Sequence, residues 1–152
     1  MKRGIVQAAA SVAVLAAAAA PALARESVAR TVEKLGLMGR WATDCSAPAS
    51  DSNWHTLYSR RADGKVSRKY FNSSEPFNDY TVTSAEVRGD RISYKIVGTD
   101  KNRLKFSVVL SVSGGKLQVI DSRDDTNGEQ KVKDGKFTAN GQPSPIQTKC
   151  GN

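Results

Sequence analysis

Nine residues, LKFSVVLSV from Leu104 to Val112, constrain this chain more than any others. Leu104, Phe106, Val108, Leu110 and Val112 fall on one side of an extended backbone, and Lys105, Ser107 and Ser111 on the other. A period of two is the mark of a strand with one apolar face. The same rhythm recurs in Arg40–Cys45, Asn53–Arg60, Lys65–Phe71, Asp79–Val87, Arg91–Gly98 and Lys116–Arg123. The turn pairs Asp63-Gly64, Gly89-Asp90 and Gly114-Gly115 join several of these runs, and such pairs connect hairpins. Further on, EQKVK and KFT stand around the turns Asn127-Gly128 and Asp134-Gly135. The tail NGQPSPIQTKCGN is broken by Pro and Gly, and is expected to be irregular apart from its cysteine.

No spacing leaves room for crossover helices, so a parallel sheet is disfavoured. Antiparallel strands in sequence order make a meander, and an open meander exposes two edges. Closing it removes them. The expected fold is a mainly β, single antiparallel up-and-down eight-stranded barrel, with a half-open sheet or sandwich as the alternative.

The strands begin only after residue 39. The first 24 residues, with Lys2 and Arg3, an Ala-rich apolar run and Ala22-Leu23-Ala24, read as a secretory signal peptide. The remaining 25–152 are expected to form a single barrel domain outside the cytoplasm, in the periplasm. Glu26 to Leu35 reads as a short helix with Val28, Val32 and Leu35 on one face and Gly36 as its stop. The chain carries a net charge of +8, or +6 without Lys2 and Arg3. That balance suits anionic surfaces but names no partner. The two cysteines, Cys45 and Cys150, bracket the strands and are expected to pair in an oxidising compartment. With one histidine besides, they make a structural zinc site an unsuitable reading.

Gly39-Arg40-Trp41 follows the short helical segment and opens the first strand. Gly allows a tight entry, and Trp is large enough to plug a tapered barrel end. In this the chain resembles the lipocalins and the wider calycin group, whose Gly-x-Trp closes one end of an eight-stranded barrel. The resemblance assigns Gly39 and Trp41 a barrel-closing role. It implies a lipocalin-like cavity for a small molecule. The group's second motif, Thr-Asp-x-x-Tyr, is missing, and DSRDDTNG stands in that region. Gly-x-Trp-x-x-Asp-Cys also resembles the start of small exported proteobacterial proteins, which implies a compartment and no activity.

The chemistry-bearing residues are sparse. His55 lies in a strand with no Gly-x-Ser-x-Gly elbow anywhere, so it reads as a strand histidine without a catalytic role. Asp121, Asp124 and Asp125 lack EF-hand spacing and read as a solvated loop. No nucleophile, base or metal constellation emerges, so the chain is not expected to be an enzyme or to carry a cofactor or metal. Arg60, Arg61, Lys65, Arg68 and Lys69 would crowd one hairpin tip, as an anion or partner surface or as a solvated, edge-protecting hairpin. Nucleic-acid binding is disfavoured for want of a recognition fold. Trp54, Tyr58, Tyr70, Tyr80, Tyr94 and Phe106, with Val82 and Leu110, are the candidates to line a cavity. The few aromatics and small domain favour a filled or narrow interior.

Two readings are open. In the first the barrel is an exported binding module for an apolar or amphipathic small molecule. In the second it has a filled core and docks an envelope protein, as a hydrolase inhibitor for instance, through its rim or basic hairpin. The basic hairpin also admits a peripheral contact with an anionic membrane.

Overall fold

A computed structural model describes residues 27–151. The expected signal peptide lies outside the described residues. The first element is α1 (Val28–Lys34), capped by the Ser27 side chain, which accepts from the Arg30 amide. It ends where Gly36 takes a left-handed φ of +66°. There the Gly36 amide donates to Glu33 and the Leu37 amide to Val32, which satisfies two terminal carbonyls. The helix is too short to stand alone. It buries Ala29 and Val32 against the barrel, in contact with β3 and β4.

The strands in chain order are β1 (Gly39–Ala42), β2 (His55–Arg60), β3 (Val66–Phe71), β4 (Pro76–Arg88), β5 (Arg91–Gly98), β6 (Lys105–Ser113), β7 (Lys116–Asp124), β8 (Gln130–Lys133), β9 (Lys136–Phe137) and β10 (Ile146–Lys149). Strands β1 to β7 pair in sequence order, all antiparallel. β10 then lies between β7 and β1, with Gln147 opposite Leu117 and Trp41 opposite Lys149. This closes an eight-stranded antiparallel barrel, as the alternation predicts. β8 and β9 form an additional hairpin that branches from the end of β7.

The expected irregular tail is therefore corrected: its residues 146–149 are the closing strand. They carry little apolar signal because β10 is short and turns mainly Gln147 inward. β1 also stops earlier than expected, at Ala42, and leaves Cys45 in a loop. Register shifts interrupt four of the strand pairings, and those at Thr83 in β4 and Ile120 in β7 each add a residue and switch the face taken by the rest of the strand.

One end of the barrel is sealed by α1, Leu37 and Trp41. The Trp41 indole is 2% exposed and donates from Nε1 to the Leu37 carbonyl at 2.8 Å. Gly39 enters β1 at φ +109°, which only glycine adopts without strain. The disulfide Cys45–Cys150 joins the loop after β1 to the end of β10. It thus ties together the two strands whose pairing completes the cylinder.

Candidate ligand-binding cavity

The register of β2, β3 and β4 sets Thr56 beside Tyr70 and Asn78, Tyr58 beside Arg68 and Tyr80, and Arg60 beside Val66 and Val82. The first two rows matter most. Above them the barrel is hollow, with a cavity of about 240 Å³. Its wall is formed largely by Tyr70, Tyr80, Ile96, Phe106, Val108 and Val119. The β8–β9 hairpin adds Val132 and Phe137 from the side.

At the mouth stand Trp54 and Phe77, 40% and 41% exposed. Their rings meet edge to face at 5.2 Å, and Phe77 stacks on Tyr70 at 6.0 Å. Contacts from Tyr70 to Tyr80 and from Tyr80 to Phe106 continue the aromatic series down the wall. β10 holds this rim in place. The Gln147 carboxamide accepts from the Thr56 hydroxyl at 3.0 Å and donates to the Trp54 carbonyl at 2.8 Å.

Of the residues expected to line the cavity, Trp54, Tyr70, Tyr80 and Phe106 do so. Tyr58 and Tyr94 do not: they pack in the core beyond Arg68, their hydroxyls hydrogen-bonded to each other at 3.0 Å. Val82 and Leu110 belong to the same packed core.

Arg68 is the main correction. Expected on the basic hairpin surface, it is 2% exposed and faces the interior, where it lines the cavity. The reason is its place in the alternation, between Val66 and Tyr70 on the inner face of β3. Its guanidinium carbon lies 4.4 Å from the Tyr70 ring centroid, 5.3 Å from that of Tyr94 and 5.7 Å from that of Tyr58. Its Nε is buried without a hydrogen-bond partner. Among the described residues no carboxylate pairs with it. Burial pushes Tyr70 up to about 12 and Tyr94 well above its ordinary value, against the pull of Arg68, so both are neutral at neutral pH. Cation–π contacts contribute roughly 0.5–2 kcal/mol each, whereas burying an ion costs several kcal/mol. The cage orients the guanidinium but does not neutralise it.

The rest of the basic hairpin is exposed or partly exposed, and each cation has a carboxylate neighbour. Arg60 meets Glu33 at 3.3 Å, and Lys65 meets Asp63 at 3.1 Å. Arg61 and Lys69 share Asp79, at 2.5 and 3.8 Å. The structure does not gather the five into one unpaired patch.

His55 lies on the outer face, buried beneath the loop 44–53. Nδ1 lies 3.3 Å from the Arg40 guanidinium, which can only donate, and Nε2 lies 3.2 Å from the Asn53 carboxamide nitrogen. Burial, then the Arg40 charge, holds the imidazole below its ordinary value. Asp121 and Asp124 are in β7 rather than in a solvated loop. Asp124 is buried, and its carboxylate accepts from the Thr126 amide at 2.8 Å. That local turn chemistry ends the strand.

Sequence reasoning missed Phe77, Val132, Phe137 and Gln147 as cavity residues. Val132 and Phe137 stand alone among lysines and polar residues, so the only signal is an isolated apolar side chain on each arm of a turn. Comparisons of the chain with protein-family models, curated proteins and solved structures find no match.

Proposed function

We propose that this protein is a binding module that holds a small amphipathic molecule inside its barrel. The observation that carries the reading is the cavity of about 240 Å³, walled by aromatic and aliphatic side chains and opening at Trp54 and Phe77. Ligand sites are concave and mostly apolar, with a few placed polar groups, and Arg68, Thr56 and Gln147 are such groups here. The ion pairs on the basic hairpin favour ligand capture over docking through that hairpin. The signal-peptide pattern and the disulfide support a place of action in an oxidising compartment such as the periplasm.

The test is calorimetric titration of the purified protein with octan-1-ol, an uncharged amphipath. Saturable one-to-one binding with a negative heat-capacity change is expected, since apolar surface is buried. Val119→Phe, which fills the cavity from its wall, should abolish the binding while preserving the circular dichroism spectrum. Absence of saturable binding by octan-1-ol and by its carboxylate counterpart octanoate alike, or binding unchanged in the folded variant, overturns the reading.

A further inference from the structure

Among the described residues lining the cavity, Arg68 is the buried charged one. Cation–π contacts offset only part of the cost of burying an unpaired cation, and methionine or leucine would pack in a similar volume. Yet the side chain is held by three tyrosine rings, so its position is defined. Its nitrogens donate to no acceptor of the protein among the described residues. A guanidinium stays protonated at any working pH, and its planar fork matches a carboxylate with two parallel hydrogen bonds.

The other cation lining the cavity, Lys131, already meets Glu129 at 2.7 Å. One free positive charge fits one negative charge. An apolar cavity of about 150 Å³ holds benzene, so one of about 240 Å³ suits a short chain or a single ring.

We propose that Arg68 binds the head of an anionic ligand, and that this ligand is a monocarboxylate with a short apolar body. The inference rests on the binding-module reading above and adds the ligand's class and orientation. The carboxylate sits deep, against Arg68. The apolar body lies along Tyr70, Tyr80 and Phe106 and points toward Trp54 and Phe77 at the mouth.

The experiment compares octanoate with octan-1-ol in the wild-type protein and in Arg68→Met, by calorimetry at neutral pH. Octanoate is expected to bind the wild type about tenfold to a hundredfold more tightly than the alcohol, the range for a hydrogen bond to a charged group. Arg68→Met should remove that preference while keeping the alcohol. Equal binding of octanoate and octan-1-ol by the wild type overturns this proposal and leaves the binding module standing. Failure of both ligands to bind overturns the module reading as well. Should Arg68→Met not fold, the wild type alone still decides. The carbon-13 carboxyl signal of bound octanoate should titrate at lower pH than that of free octanoate, because Arg68 favours the anion. An unchanged or raised titration overturns the proposal, since it places the head in solvent or in apolar surroundings.

Discussion

Arg68 has a consequence for stability as well as for binding. Replacing an ion in a core by a well-packed apolar side chain is often stabilising. Arg68→Met should therefore raise the stability of the free protein by about 1–3 kcal/mol, measured by denaturant unfolding, after allowing for the lost cation–π contacts. A fall in stability would show that the tyrosine cage outweighs the burial penalty. His55 gives a pH effect of defined sign. Its value in the folded protein is depressed, so on acidification the unfolded chain takes up the proton first. The stabilising contribution is full above about pH 6.5 and is lost as pH falls through the lowered folded value. Melting temperature should thus fall more steeply on acidification in the wild type than in His55→Gln. Equal slopes would assign the acid response to other groups. Gly39, at φ +109°, should not tolerate a side chain, and Gly39→Ala is expected to cost about 1–2 kcal/mol in denaturant unfolding.

Among the elements, β10 is the least conspicuous in sequence and the most consequential in the fold. Gln147 links it to β2 through the Thr56 hydroxyl and the Trp54 carbonyl. Gln147→Ala should cost about 1–3 kcal/mol in chemical denaturation, because both partners lose their bonds. It should also weaken ligand capture, since Trp54 forms part of the mouth. The run Leu104–Val112 could be read directly because its alternation is strong, and β6 occupies nearly the same span. Gly39-Arg40-Trp41 likewise opens the first strand, where the sequence places it. β10 escaped because its neighbours supply its pairing and only one polar side chain turns inward. The bulges at Thr83 and Ile120 have no composition signal, so side-chain facing beyond them could not be read by counting. Arg68 is a different case. Val66, Arg68 and Tyr70 do keep the strand's period, but Lys65 and Lys69 on either side make the stretch look like solvent-facing surface.

Across the whole molecule, the Cys45–Cys150 bond spans a sequence separation of 105 residues. For a loop of about that length the chain-entropy account gives a stabilisation of roughly 4–5 kcal/mol. The double variant Cys45→Ala, Cys150→Ala should lose a comparable amount in urea unfolding. A loss near zero would mean that the unfolded chain is little restricted by the crosslink. The position of β10 also bears on the order of events during folding. A chain in which residues 146–149 have not yet paired has β1 and β7 but nothing to join them, so each presents an open edge. The interior becomes an enclosed compartment only after that late segment arrives and pairs with a strand more than a hundred residues older. Such distant pairing makes folding slow, in the range of milliseconds to seconds. Until then the incomplete sheet is exposed to association with other chains. The interior can therefore hold a ligand only once β10 has paired with β1 and β7.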